Sequence, residues 1–206
     1  LITPVCVYVM MSVSLSLVVG FLGELSLGHA AFMSIGAYTG CLFLIATKDI
    51  LPVLVSLLLA VFIGGVAAAL LGVVIGIPVL RLKGDYLAIV TLGFGEIIKS
   101  VFNSLKITGG AKGLSKIPLV ATYKNFTFVF ILMLLVILLV SHLVNSRHGR
   151  AVCAIRDNYI AAEAVGIPVS RYKILAFVIA AFMAGMAGVI YGANLGILKP
   201  ANFDYN

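Results

Sequence analysis

A chain of 206 residues that is 63% hydrophobic and only 10% charged cannot cover itself with a water-compatible surface, because soluble domains are about 45–50% apolar and about 25% charged. The net charge of +7 does not indicate nucleic acid, since basic loops commonly flank membrane helices and no aromatic RNA-binding motif or basic recognition helix is present. The three cysteines, Cys6, Cys41 and Cys153, form no CxxC pair, so neither a disulfide framework nor a metal site is expected.

Six continuous apolar runs divide the chain, and each is long enough to cross a bilayer, which requires about 20 residues. β-Barrel strands are shorter and alternate in polarity, so a barrel is not expected. We predict an all-α polytopic transmembrane helical bundle that forms one domain over residues 1–206. The runs are Val5–Leu22, Ala30–Ala46, Pro52–Leu80, Tyr86–Phe102, Phe126–Val144 and Ile174–Leu198.

The connections between these runs predict an orientation. All five arginines, Arg81, Arg147, Arg150, Arg156 and Arg171, fall on one side of the predicted membrane. Lysines are spread over both sides, so the total basic count alone decides little. Because arginine and lysine favour cytoplasmic loops, we expect Asn145–Lys173, Arg81–Asp85 and Gly23–His29 to be cytoplasmic, with Asn103–Asn125 outside.

Two runs carry a small residue at every fourth position, which places the small residues on one helix face. Close backbone packing holds helices together in lipid, so ordinary helix packing is favoured over a pore-lining role. The third run has Ala60, Gly64, Ala68, Gly72 and Gly76, and the sixth has Ala176, Ala180, Ala184, Gly188, Gly192 and Gly196.

The fourth run contains a carboxylate at membrane depth. Glu96 follows Gly93 and Gly95, which we expect to interrupt the helix, and it can pair with Lys99 three residues later. Intramembrane charges usually face protein or water, and interrupted helices often line pathways. A structural ion pair, or a glutamate near a helix end, is the alternative. The candidate pathway residues are Thr91, Gly93, Gly95 and Glu96.

Other polar residues do not form a catalytic pattern. Glu24 and His29 are five apart, and no nucleophile–base pair is apparent, which counts against an intramembrane enzyme. The phosphate-loop motif G-x-x-x-x-G-K-[ST] is absent from the sequence, so we expect no ATP site of that type on this chain.

The segment Asn145–Lys173 predicts a short helix over Arg150–Val165, ended by Gly166 in a left-handed conformation and followed by Pro168. Its mixed charges and many alanines favour docking on a protein over lying on the bilayer surface, which is the alternative. The candidate docking residues are Arg156, Asp157, Asn158, Ala161, Ala162, Glu163 and Gly166.

Three stretches resemble known permeases. The EAA-type loop and following helix of ABC importer permeases are similar to GRAVCAIRDNYIAAEAVGIPVSRYKILAFVIAAFMAGMAGVIY. The branched-chain amino acid permeases of the Liv family resemble LSLGHAAFMSIGAY and RLKGDYLAIVTLGFGEIIKSVFN. The stretch SLGHAAF is similar to the M-type subunit, whereas the H-type usually has Asn-Phe-Ala-His there.

This resemblance implies a transport subunit, not an enzyme, with the helical bundle shared with ribose-type sugar permeases. It implies a bacterial inner membrane location and an H-type permease partner. It also implies two cytoplasmic ATPases that hold the ATP, and a periplasmic amino-acid-binding protein. By resemblance, the Ala161–Ala164 stretch and Gly166 match the motif that docks in an ATPase groove.

Family members continue with further helices, so we expect the chain, which runs from Leu1 to Asn206, to be C-terminally truncated. An ATP-independent secondary transporter or channel is the alternative function. It would explain Glu96 as a coupling carboxylate, but it would not explain the docking loop.

Overall fold

A computed structural model describes residues 2–48, 50–80, 82, 84–121 and 125–203. A π-helix, Leu17–Leu22, continues α1, and single 3₁₀ turns occupy Lys106–Thr108, Gly110–Lys112 and Pro200–Phe203. Among these residues the α-helices are α1 (Ile2–Ser16), α2 (His29–Thr47), α3 (Val53–Val79), α4 (Asp85–Ser104), α5 (Phe126–Asn145), α6 (Arg147–Asp157), α7 (Tyr159–Ala164) and α8 (Val169–Leu195).

Within the described part of the chain, six helices are long and apolar enough to cross a membrane: α1 with its π-helix, α2, α3, α4, α5 and α8. Each coincides with one of the six apolar runs, so the predicted all-α polytopic bundle is confirmed. A helix satisfies its own backbone hydrogen bonds, and this is why long apolar runs adopt it in lipid.

The centre of the bundle is α8, which packs against α1, α2 and α3. In its most apolar stretch 67% of the residues are buried, against 17% in α4 and in α5. Helices α4 and α5 are therefore peripheral and present most of their apolar surface outward. The small-residue faces of α3 and α8 are buried as predicted, apart from Gly196, which lies beyond the end of α8.

Small residues allow the helix backbones to touch at the centre. A methyl group on Gly36 of α2 would overlap the backbone of Gly185 in α8, and one on Gly188 would overlap the Met33 carbonyl oxygen. The four-residue repeats predicted the small-residue faces of α3 and α8, but they did not predict Gly36 and Gly40, which supply the matching face of α2. Van der Waals contact at this distance is the main cohesive force between helices in lipid.

The connections separate into two ends of the bundle, as the predicted grouping requires. At one end the α6–α8 segment contacts the π-helix through Arg156 on Gly20, and the α1–α2 linker through Lys173 on Glu24. At the other end Leu114, between α4 and α5, forms an antiparallel bridge with Leu198 after α8. Arg81 and Lys83, on which the predicted orientation also drew, lie outside the described residues.

Two local expectations were wrong. The predicted single helix over Arg150–Val165 is instead two helices, α6 and α7, divided at Asn158, whose backbone is extended. The predicted interruption at Gly93 and Gly95 is absent, because α4 is continuous from Asp85 to Ser104. Each glycine costs about 1 kcal/mol of helix propensity relative to alanine, which is less than the cost of leaving backbone groups unpaired in lipid.

Candidate functional site

The segment between α5 and α8 leaves the bundle through a tight turn. The Ser146 side chain accepts a hydrogen bond from the Gly149 amide at 3.2 Å and so caps the first turn of α6. A methyl group on Gly149 would overlap the carbonyl oxygens of Leu143 and Val144. Glycine at 149 therefore lets α6 turn directly off the end of α5, which fixes the direction of the whole segment.

Asn158 begins α7 as a helix cap. Its Oδ1 accepts hydrogen bonds from the amides of Ile160 and Ala161, both at 3.1 Å. Asparagine is among the strongest capping residues, because its short side chain satisfies amides that the first turn leaves unpaired. An asparagine before a run of helix-forming residues is a sequence signal for a helix start. It was missed because the alanines on both sides suggested one continuous helix.

Gly166 ends α7 in the left-handed conformation that the sequence predicted, with φ of +86°. Its amide donates to the Glu163 carbonyl and the Ile167 amide donates to the Ala162 carbonyl, both at 3.0 Å. This pair of bonds is a Schellman motif, which pairs the last carbonyls of a helix and reverses the chain. The motif directs the chain back toward Pro168 and α8.

The outward surface of α7 is apolar at its ends. Ile160 and Val165 are 63% and 77% exposed, and Tyr159 is 40% exposed, whereas Ala162 is buried against the rest of the protein. Glu163 is exposed beside them. Exposed apolar patches rimmed by charge mark interaction sites. The sequence pattern predicted the alanines and Glu163 as docking residues but missed these three larger side chains.

Arg156 and Asp157 form a contact within the chain. The Arg156 guanidinium donates to Asp157 Oδ1 from Nε and Nη2, both at 3.0 Å, and from Nη1 to the Gly20 carbonyl at 2.9 Å. Asp157 itself is 67% exposed at its side chain. The predicted docking residues therefore divide. Ala161, Glu163 and Gly166 are exposed, Ala162 is buried, and Arg156 and Asn158 anchor the segment.

The four candidate pathway residues do not share one face of α4. Thr91 is 1% exposed, and its hydroxyl accepts from the Leu27 amide at 3.0 Å and donates to the Ala88 carbonyl at 2.9 Å. A methyl group on Gly93 would meet no atom within 4 Å, so this position is open. The structure thus places Thr91 against the α1–α2 linker and Gly93 on the outer side of the bundle.

Glu96 is exposed, and its carboxylate lies 3.8 Å from the Lys99 ammonium, so the predicted pairing on one helix face is confirmed. Together with Gly95, both side chains line a narrow groove between α2 and α4. The α2 wall includes Ser34 and Tyr38, whose hydroxyls donate to the backbone carbonyls of Ala31 and Leu198. An ion pair in an otherwise apolar groove can interact with both a charged and an apolar part of a small molecule.

The comparison with known proteins identifies the chain. A family model described as "Branched-chain amino acid transport system / permease component" matches residues 1–206. The chain belongs to this family. It is 35% identical over 98% of its length to the high-affinity branched-chain amino acid transport system permease protein LivM of Escherichia coli K12, and 34% identical to LivM of Salmonella typhimurium.

The chain spans 54% of these LivM proteins, which is about half their length. LivH of Salmonella typhimurium is 25% identical over 94% of the chain. The higher identity to LivM confirms the predicted M-type resemblance within the permease family. No solved structure matches the chain.

Proposed function

We propose that this chain is part of a permease subunit that translocates branched-chain amino acids through the bacterial inner membrane, driven by ATP hydrolysis on separate subunits. The observation that carries the proposal is α7: a short helix with exposed apolar ends, held outside the bundle by a cap at one end and a Schellman motif at the other. An exposed apolar surface of this kind is typical of a site that binds a groove on another protein.

The proposed partners follow from the family and from the surfaces that remain outward. The permease pair would bind two cytoplasmic ATPases, one of which would contact α7, and an H-type permease would contact a peripheral helix face such as that of α4. An amino-acid-binding protein would deliver substrate from the opposite side of the membrane. The chain would bind no cofactor itself, and ATP would be held by the partner ATPases.

The proposed path for the amino acid runs along the groove of Glu96, Lys99, Ser34 and Tyr38. An amino acid carries both charges of its backbone and an aliphatic side chain. The Glu96–Lys99 pair would interact with those charges, while the apolar walls of the groove would accept the side chain. Glu96 would thus act on the substrate rather than on the ATPases.

The first test concerns the exit from α7. Gly166→Val places a β-branched residue at φ of +86°, where a non-glycine residue costs about 1–3 kcal/mol. No neighbouring atom lies within 4 Å of the added Cβ position, so the strain is confined to the backbone. Gly166→Asn is the matched control, because asparagine tolerates the left-handed region. We expect Gly166→Val to weaken ATPase co-purification and uptake, and Gly166→Asn to retain both.

The second test concerns the charge on α7. Glu163→Lys should weaken ATPase binding by reversing a contact charge, while Glu163→Gln should have the smaller effect. ATPase co-purification, ATP-dependent uptake into vesicles and ATP hydrolysis are measured on the same preparation. Wild-type binding and coupling in both Gly166→Val and Glu163→Lys would refute the docking role of α7. Uptake that persists without ATP would instead favour a secondary transporter or channel.

A further inference from the structure

The linker between the π-helix and α2, Gly23–Gly28, contacts more of the protein than its six residues suggest. It lies at the same end of the bundle as α6 and α7, and its neighbours belong to α4, α6 and α8. The function proposed above assigns it no role. Its contacts form a continuous connection between the docking segment and the membrane helices.

The first contact joins α6 to the end of the π-helix. The carbonyls in the last turn of a helix lack partners within that helix, and Arg156 Nη1 donates to one of them, the Gly20 oxygen, at 2.9 Å. Gly23 has φ of +74°, and a Cβ there would lie 2.6 Å from Arg156 Cγ. The arginine stem therefore rests directly on Gly23, which places α6 in contact with this end of the linker.

The second contact joins α8 to the middle of the linker. The Lys173 ammonium is paired with the Glu24 carboxylate, and each side chain is only 12% exposed. A charge pair this well shielded resists separation, because either charge alone would remain desolvated. Lys173 lies in the first turns of α8, shortly after the segment returns from α7. Residues that precede and follow α7 are thus attached to one short linker.

The far end of the linker is attached to the membrane core. The Leu27 amide donates to Thr91 in α4, and a Cβ on Gly28 would lie 3.2 Å from Thr91 Cβ. Immediately afterwards His29 begins α2. Because the Ser14 hydroxyl donates to the Ala180 carbonyl at 2.6 Å, it accepts the 2.8 Å bond from His29 Nε2–H. The Leu27 bond therefore connects the linker to α4, and the buried bonds of Ser14 connect the first residue of α2 to α1 and α8.

We propose that the linker Gly23–Gly28 relays movement of the α6–α7 docking segment to α4 and α8, with Arg156, Glu24 and Lys173 as the positioning residues. The inference rests on the proposed function, because it requires an ATPase on α7. Movement of α6 pulls on Gly20 and Gly23 through Arg156, and rotation of α8 pulls on Glu24 through Lys173. The linker passes both displacements to Thr91 in α4. Thr91 precedes Glu96 by five residues on that helix.

The test uses the complete transporter assembled with the ATPase and permease subunits that co-purify with it, reconstituted into lipid vesicles. The variants are Glu24→Gln, Lys173→Met and Arg156→Met. Arg171→Met is the matched control for Lys173, since Arg171 is an exposed cation two residues earlier on α8. Arg150→Met is the matched control for Arg156, since it is an exposed arginine on α6. Each preparation is assayed for ATPase content, melting temperature, ATP hydrolysis and amino acid uptake.

We expect the number of amino acids transported per ATP to fall roughly two- to thirtyfold in the three linker variants. ATPase content and the Michaelis constants for ATP and amino acid should stay at wild-type values, which a general loss of structure would not permit. The two control variants should keep the wild-type ratio. Should Glu24→Gln or Lys173→Met fail to assemble, Arg156→Met decides the result, because its side chain is 42% exposed and its removal leaves no buried charge.

The relay is overturned if an assembled linker variant keeps the wild-type transport ratio, or if the controls lose it equally. It is also overturned if the variants lose the ATPases, because the linker residues would then act in docking. Failure of the relay leaves the proposed function intact if wild-type uptake requires ATP and the Glu163→Lys variant has reduced uptake. If wild-type uptake does not require ATP, the proposed function and the relay fail together.

Discussion

Replacing Gly188 with alanine adds a single methyl group where α8 crosses α2. The new Cβ would overlap the Met33 carbonyl oxygen and would lie 2.9 Å from the Met33 carbonyl carbon and 3.0 Å from the Ala37 amide nitrogen. All three are backbone atoms of α2, so no side-chain rotation can relieve the contact. The two helices must separate along their whole crossing, including the adjoining contact of Gly36 with Gly185.

The expected cost follows from the packing. Adding a methylene to a close-packed core costs about 1–3 kcal/mol, and the backbone contacts place Gly188→Ala near the upper figure. Exchanging a helical glycine for alanine stabilises the helix by about 1 kcal/mol through the higher helix propensity of alanine. The net destabilisation is therefore about 2 kcal/mol. At about 2–4 °C per kcal/mol for a chain of this size, the melting temperature should fall by several degrees.

The assay can use the buried thiols of the chain. Cys6 and Cys41 are 3% and 0% exposed, so a thiol-reactive dye labels them when the bundle opens on heating in detergent. Gly93→Ala is the matched control, because it makes the same exchange within a helix where no atom lies within 4 Å of the new methyl group. Its melting temperature should rise slightly. Equal or higher stability of Gly188→Ala relative to wild type would refute the tight α2–α8 crossing.

Three further outcomes are expected. Glu96→Gln should lower the uptake rate while leaving assembly unchanged, because the Glu96 side chain is exposed and its ion-pair partner lies on the same helix. A wild-type uptake rate would assign Glu96 a structural role only. Gly72→Leu should prevent stable assembly, since a Cβ at 72 already lies 2.9 Å from Ala181 Cβ, and normal assembly on gel filtration would show that this face of α3 is free. In a single-cysteine variant carrying Asn158→Cys, an impermeant thiol reagent should label position 158 only from the cytoplasmic side. Labelling of intact, sealed cells would show that the predicted orientation is wrong.

The sequence by itself determined the membrane spans and the small-residue faces. Each span is a long apolar run. Lipid offers no hydrogen-bond partners, so such a run must pair its backbone groups internally, as a helix does. The faces of α3 and α8 follow from a four-residue repeat, which is a local property of a helix. Gly166 was predictable for the same reason: a glycine after a helix-forming run supplies the left-handed ending, whatever surrounds it.

Only the tertiary structure decided which residues meet. Asn158 divides the loop into two helices because its side chain caps α7. The alanine-rich sequence on both sides of Asn158 predicted one continuous helix instead. Arg156 reaches Gly20 across 136 positions, and Lys173 reaches Glu24 across 149. No periodicity encodes such distant pairs, because they depend on how the helices are arranged. The contacts of the α1–α2 linker with Arg156 and Lys173, which flank α7, were visible only in the packed structure.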